Sequence, residues 1–253
     1  LVVTPAQHMR LVLGQAPDCG KPLVLCAKGI EEGSGQFLHE VARQVCPRAQ
    51  IAVLSGPTFA HEVAKGLPTA VTLAAEDATL AGELRERIKL PTFRIYLSDD
   101  VTGAEIGGAV KNVLAIACGV VEGRRLGQNA QAALIARGFA EMTRFGLAFG
   151  ARRETLAGLS GLGDLVLTCS STSSRNYSLG KGIGEGRSAR ELLSDRRTVA
   201  EGAFTAPVLA RIAREKGIDM PIVEGTEALI AGRARVDEAL GALLSRPPRS
   251  EVI

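Results

Sequence analysis

Residues Gly103 to Glu122, reading GAEIGGAVKNVLAIACGVVE, constrain the fold more than any other stretch of the chain. Between Ala104 and Val121 the only formal charges are Glu105 and Lys111, and small or apolar residues fall on every face. That is the pattern of a helix buried all round. A membrane span is the rival reading, but Glu105, Lys111 and Asn112 in one half and glycines at 103, 107, 108 and 119 make a poor one. Gly107 and Gly108 each weaken a helix by about 1 kcal/mol relative to Ala, so they are expected where backbone or ligand approaches closely. Lys111 lies mid-helix, a poor place for an ammonium. Either it snorkels to the surface along its stem or it is buried to serve a chemical purpose.

With 253 residues the chain can hold two domains of ordinary size. A net charge of +3 from dispersed basic residues gives no argument for nucleic acid or a membrane surface as partner. Cys19, Cys26, Cys46, Cys118 and Cys169 form no CxxC pair, and no His stands at metal-ligand spacing, so no metal site is expected. They read as small buried hydrophobes in a reducing cytoplasm.

Up to about residue 102, short apolar runs alternate with helical patterns. Strands are expected at Val2–Thr4, Pro22–Ala27, Ile51–Leu54, Ala70–Ala74 and Phe93–Leu97, and helices at Pro5–Leu13, Gly35–Val45, Phe59–Lys65 and Asp77–Ile88. The alternation implies a Rossmann-like α/β unit with a mostly parallel sheet, whose function belongs at the carboxyl ends of the strands. After Asp100 strand signals stop. Helices are expected at Asn129–Phe149, Leu162–Thr168, Ser178–Gly184, Ala203–Lys216, Val223–Ala231 and Val236–Leu244, with a frayed tail at Pro247–Pro248. The shift divides the chain into an α/β unit, 1–102, and an all-α unit, 103–253.

Strand PLVLCA runs into Lys28-Gly29, which puts a cation at the sheet's carboxyl edge. Strand IAVL runs into Ser55-Gly56-Pro57-Thr58, a glycine turn opening a helix whose free N–H groups suit an anion; by itself such a sequence is more often an ordinary strand-to-helix turn. Asp164 follows Gly161-Leu162-Gly163 and could simply cap the next helix. Ser174-Arg175-Asn176 sets three hydrogen-bonding side chains together, and Arg suits bidentate phosphate contact. A dinucleotide-binding GxGxxG must follow a strand and open a helix. The run Gly180, Gly182, Gly184, Gly186 does neither and reads as a loop or helix terminus, so the fingerprint is absent.

CAKGIE at 26–31, LSGPTFAHEVA at 54–64, VKNVLAIACGV at 110–120, NAQAALIARGFAEM at 129–142, GLSGLGDLVLTC at 158–169, SSRNYSLG at 173–180 and VAEG at 199–202 together resemble bacterial NAD(P)-dependent glycerol-3-phosphate dehydrogenase. The motifs cover nearly the whole chain in the family's order. The resemblance implies reduction of dihydroxyacetone phosphate to sn-glycerol 3-phosphate for phospholipid synthesis, with NAD or NADP as cofactor, in a cleft between the two domains. Carried over by motif, Lys111 looks like the general acid/base and Asp164 its orienting partner. Lys28, Gly56, Thr58, Ser174, Arg175 and Asn176 resemble substrate-binding positions. Lys28, Ala60, Arg175, Val199 and Glu201 resemble cofactor contacts. A desolvated lysine of lowered pKa agrees with the independent reading of Lys111.

The chain departs from the family at Tyr177-Ser178, where many relatives place further arginines, and at His61, where a Lys is common; His61 reads as a surface residue. The chain opens without Met, on Leu-Val-Val. It therefore reads as lacking the strand and glycine loop that hold pyrophosphate, roughly 60 to 90 residues at about 30 per strand–helix unit. Val24, Leu25, Ile51 and Val53 are then expected to be partly exposed. Two alternatives stay open: a β-hydroxy acid dehydrogenase of the same two-domain plan, and a non-catalytic fragment serving as a dimerising module. Apolar helices such as Ala130–Ala140 point to a homodimer.

Overall fold

The computed structural model describes residues 1–17, 20–194 and 200–247. Four strands, β1 (Leu23–Leu25), β2 (Ile51–Ser55), β3 (Thr69–Ala74) and β4 (Phe93–Ser98), form one sheet in sequence order. Val2 adds a single parallel bridge to Leu25 where a full strand was expected. β1 pairs with β2 and β3 with β4 in parallel, but β2 and β3 are antiparallel. The expected parallel run is broken there because the intervening helix α3 (Ala60–Ala64) has five residues. It spans about 7.5 Å, whereas a crossover must return along the roughly 17 Å of a five-residue strand.

Helices α1 (Met9–Gln15, entered through a 3₁₀ turn at Ala6–His8) and α2 (Leu38–Val45) cover one face of the sheet, burying Leu25, Ile51 and Val53 against Met9, Leu13, Leu38 and Ala42. Helix α4 (Ala78–Ile88) covers the other, burying Val24 and Ala52 against Leu80, Ala81 and Leu84. Neighbouring residues of β1 thus serve opposite faces. This corrects the expected exposure of Val24, Leu25, Ile51 and Val53: all four are buried, because both faces have their own helices. The exposed apolar residues of this end are instead Leu1, Val3, Leu11 and Val12.

From Val101 onward every element among the described residues is helical: α5 (Val101–Gly123), α6 (Gln128–Ala148), α7 (Arg153–Ala157), α8 (Asp164–Cys169), α9 (Arg175–Gly184), α10 (Ala189–Leu193), α11 (Glu201–Glu215), α12 (Pro221–Ile230) and α13 (Val236–Leu244). Asp100 caps α5 by accepting from Gly103 N–H at 2.7 Å. Length and hydropathy alone would let α5 cross a membrane, but 94% of its most apolar 18-residue stretch is buried within the protein. It is the axis on which α6, α8, α9, α11 and α12 pack.

The two charges in the body of α5, Glu105 and Lys111, are not on its surface. Glu105 is buried and accepts from the backbone N–H of His39 at 2.9 Å, with His39 Nδ1 2.6 Å from its other oxygen. That carboxylate closes the N-terminal end of α2, where free N–H groups favour negative charge, and ties the sheet layer to the helical layer. Burial raises the Glu105 pKa, opposed by His39. The glycines allow helices to touch backbone to backbone. A Cβ on Gly119 would lie 2.0 Å from the Tyr177 carbonyl oxygen, and one on Gly180 would lie 1.9 Å from that of Ile116. Gly180 and Gly184 are therefore on the contact face of α9 with α5, within the last turns of the helix rather than in a loop, while Gly182 faces Leu192. Cys46, Cys118 and Cys169 are buried, Cys26 is half-buried and His61 is exposed; Cys19 and the tail from Pro248 lie outside the described residues.

Candidate active site

Lys111 does not snorkel: it is 5% exposed. One turn before it, Gly107 leaves room for the Ser160 carbonyl, 2.2 Å from where a Cβ would stand. Gly108 leaves room for the stem of Lys28, at 3.0 Å. Through this notch the loop after β1 and the π-helical turn Leu159–Gly163 before α8 both come against α5. Lys111 Nζ donates to Asp164 Oδ1 at 2.6 Å and to Thr168 Oγ1 at 2.9 Å. The Thr168 hydroxyl donates in turn to the Asp164 carbonyl at 2.6 Å. Lys28 Nζ lies 3.1 Å from Asp164 Oδ2 and 3.5 Å from the Gly56 carbonyl oxygen.

Asp164 is fully buried and is the first residue of α8, where the helix dipole favours its charge. Two ammonium groups converge on this single carboxylate. Burial, followed by the charge of Lys28, lowers the Lys111 pKa from 10.5 to about 8, against the opposing pull of Asp164. Lys111 can therefore give up its proton near neutral pH, which an exposed lysine cannot do readily.

The second strand end is built around Gly56. Its φ of 150° and the 3.0 Å from its Cβ position to the Val71 Cα require glycine there. Its carbonyl also accepts from Thr58 Oγ1 at 3.2 Å. Ala60 is exposed at the start of α3. At the N-terminus of α9, the Ser174 hydroxyl caps the helix by accepting from Tyr177 N–H at 3.3 Å. Arg175 is exposed and, among the described residues, makes no hydrogen bond or ion pair. Asn176 uses both ends of its amide: Nδ2 donates to Asn112 Oδ1 at 3.0 Å, and Oδ1 accepts from Gly202 N–H at 2.9 Å. It joins α5, α9 and α11 beside Lys111.

Glu201 opens α11 and accepts from Ala6 N–H at 3.4 Å. Burial raises its pKa, opposed by that N–H and by the charges of Arg175, Lys28 and Lys111, so it belongs to the same electrostatic neighbourhood. Val199 lies outside the described residues. The structure thus gathers Lys28, Gly56, Lys111, Asp164 and Glu201, with Thr58 hung on Gly56 and Asn176 one contact away; Ala60 stands apart on the α3 surface. Sequence reasoning missed Thr168 and Asn112 as members of the group. Thr168 was findable, being four residues after Asp164 and so on the same face of a helix.

Two family models match the chain: NAD-dependent glycerol-3-phosphate dehydrogenase N-terminus over residues 1–81 and C-terminus over residues 100–241. A glycerol-3-phosphate dehydrogenase [NAD(P)+] of Novosphingobium aromaticivorans is 67% identical over 254 residues, covering 99% of this chain and 76% of the relative. That of Erythrobacter litoralis is 64% identical over 251 residues with the same coverage. The crystal structure of glycerol-3-phosphate dehydrogenase from Coxiella burnetii superposes with a TM-score of 0.91 at 38% identity, covering 96% of this chain and 75% of that one. These matches do not favour the β-hydroxy acid alternative. With both halves matched in order and relatives at this identity along nearly its full length, the chain belongs to the NAD(P)-dependent glycerol-3-phosphate dehydrogenase family.

Proposed function

We propose the following division of labour for the reaction that goes with this family, NAD(P)H-dependent reduction of dihydroxyacetone phosphate to sn-glycerol 3-phosphate. Residues 1–102 form the dinucleotide-binding side of the cleft and 103–253 the substrate side. Lys111 is the proton donor. Its ammonium, held by Asp164 and Thr168, protonates the carbonyl oxygen as that oxygen becomes an alkoxide, and the neutral amine left behind is tolerable because its pKa is already about 8. Asp164 orients the ammonium and balances its charge. Lys28, on the other carboxylate oxygen, supplies positive charge toward the developing oxyanion. Arg175 and the N-terminus of α9 hold the substrate phosphate, with Ser174 fixing that helix end and Asn176 fixing α9 against α5. Gly56 and Thr58 shape the opposite wall.

The strand-end residues fit the reacting end of a nicotinamide dinucleotide. The Ser55 hydroxyl is buried without a hydrogen bond, and Lys28, Arg175 and Glu201 set charges of both signs at one edge. When bound, the reduced nicotinamide supplies the hydride. Lys28, Arg175 and Glu201, with Ala60 and Val199 by motif, are assigned to holding it. No residue is assigned to the pyrophosphate, since GxGxxG does not occur in the chain.

The observation that carries this reading is the buried Lys111–Asp164–Thr168 group. It is tested by following oxidation of NADH and NADPH with dihydroxyacetone phosphate and, separately, with a β-keto acid, in the native chain and in Lys111→Ala. The phosphate ester alone should be turned over, and Lys111→Ala should lose about 10² to 10⁴ in kcat; turnover within tenfold of native would remove Lys111 from the role. The product is assigned to glycerophospholipid synthesis in the cytoplasm. A homodimer through α6 is supported by its exposed Ala132, Ala133 and Ala136 and the neighbouring Leu126, and sedimentation equilibrium tests it.

A further inference from the structure

The segment Asn129–Met142 has so far no part in the site, although Gln131 within it touches the helix that carries Asp164. Gln131 lies in the first turn of α6, and its Nε2 donates to the Cys169 carbonyl at 2.6 Å. Cys169 is the last residue of α8, and the last carbonyls of a helix have no partner within it. The residue before it is Thr168, whose hydroxyl meets Lys111. Helix α8 has six residues, too few to be stable alone, so its position is set by its packing on α5 and by whatever grips its ends. The Leu159–Gly163 turn grips the first end, and Gln131 grips the second.

A second observation bears on the same side chain. Gln131 Oε1 is buried with no hydrogen-bond partner. A buried unsatisfied acceptor costs about 1 to 3 kcal/mol, and a leucine or methionine would fill the space without it. The amide is therefore at that position for the bond its nitrogen makes, despite the cost of its oxygen.

We propose that Gln131 is a positioning residue for the reaction: by holding the Cys169 carbonyl it fixes the end of α8, and so sets Thr168 and Asp164 against Lys111. The effect on turnover rests on the reading of Lys111 as proton donor; the effect on Lys111 itself does not. The charged and titratable groups that bear on Lys111 are Lys28 beyond β1, Asp164 and Cys169 on α8, and Glu201 at the head of α11. Of these, Asp164 is the one that raises the Lys111 pKa most. A displaced α8 weakens that support while burial and Lys28 remain, so the lysine should become more acidic.

The test is the titration of Lys111 in the full chain labelled with ¹³Cε-lysine, its resonance assigned by loss in Lys111→Met. In Gln131→Leu the Lys111 midpoint should fall by about 0.5 in pH or more, and kcat should fall about 3- to 10-fold with the cofactor KM unchanged. Should Gln131→Leu fail to fold, Gln131→Asn, which keeps the amide one methylene short of Cys169, is read the same way. A Lys111 midpoint equal to that of the native chain overturns the proposal, whatever happens to the melting temperature. A shifted midpoint with turnover unaffected by Lys111→Ala would keep Gln131 as the positioning group while removing the proton-donor reading.

Discussion

The ammonium groups of Lys28 and Lys111 divide one carboxylate between them, Lys28 lying 3.1 Å from Asp164 Oδ2 and Lys111 2.6 Å from Oδ1. Lys28 comes from the sheet layer and Lys111 from the central helix, so Asp164 joins the two halves of the molecule at the point where the chemistry is assigned. Taking that charge away leaves two ammonium ions facing each other in a buried place. Asp164→Asn should destabilise the chain at neutral pH by about 3 to 5 kcal/mol, the range for breaking a buried ion pair. Part of the loss should return at alkaline pH as Lys111 sheds its proton, and part should be recovered by adding Lys28→Met. Urea unfolding at two pH values decides it, and native-like stability of Asp164→Asn at neutral pH would show that the carboxylate is not compensating the lysines.

The lowered Lys111 pKa fixes two pH dependences. With Lys111 as the proposed proton donor, the active form in the reducing direction is the ammonium, so kcat should fall as pH rises through about 8, and oxidation of glycerol 3-phosphate, which would need the amine, should rise through the same value. For stability, the folded value is about 8 and the unfolded value 10.5, so between them the unfolded chain holds a proton that the folded chain has released. Stability then increases with pH across that window, by about 3 kcal/mol in total at 1.36 kcal/mol per pH unit. Glu141 acts with the opposite sign. Burial raises it from 4.5 to about 7, against the N–H groups of Ile222 and Val223, so the folded chain keeps a proton the unfolded one has lost and stability falls across that lower window. Urea midpoints measured from pH 5 to 10 should pass through a minimum between 7 and 8, and Glu141→Gln should flatten the acid limb. A monotonic profile would mean that neither group is as desolvated as the structure places it.

Arg175 offers a cleaner test of binding than the lysines because its side chain is exposed rather than built into a buried ion pair. It is exposed at the first position of α9, without a hydrogen bond or ion pair among the described residues. Arg175→Ala should weaken substrate binding by about 1.5 to 3 kcal/mol, the range for a charged hydrogen bond, and leave the melting temperature unchanged. An unaltered substrate KM with a lowered melting temperature would make the arginine structural.

What the sequence made legible was whatever local pattern determines. The burial of α5 on every side was readable because no face of it carries enough polarity to meet water. Its glycines were readable as places of close approach, although which neighbour approaches, Ser160 at Gly107 and Lys28 at Gly108, is a tertiary fact. The antiparallel β3 was hidden because it depends on comparing the length of α3 with that of β2, and helix ends are poorly marked there: Phe59 caps α3 without a side-chain bond. The short α7 and the π-helical turn before α8 were missed for lack of periodicity. Within the site, Lys111 and Asp164 could be paired only through a resemblance, since 53 positions separate them. Thr168, inside the apolar run LVLTC, was marked only by its spacing of four from Asp164, and the link from Asn176 to Asn112 and Gly202 has no local signature at all.

The contact between α5 and α9 gives the last prediction, since α5 carries Lys111 and α9 carries Arg175 and Asn176. On an exposed helix, Gly→Ala would stabilise by about 1 kcal/mol. At Gly180 the added Cβ would meet the Ile116 carbonyl oxygen at 1.9 Å and its carbon at 2.7 Å, backbone atoms that cannot turn aside. The helices must part, and overpacking of this kind costs about 1 to 3 kcal/mol or more. Gly182, two residues on, faces the Leu192 side chain at 2.8 Å, which can move to another rotamer. Gly180→Ala should therefore lower the unfolding free energy by about 2 kcal/mol or more and reduce turnover by separating the end of α9 proposed to hold phosphate from Lys111, whereas Gly182→Ala should stay within about 1 kcal/mol of native. Equal stability of the two variants would show that the helices can slide apart freely, and the rigid seating of Asn176 between Asn112 and Gly202 would then lose its structural basis.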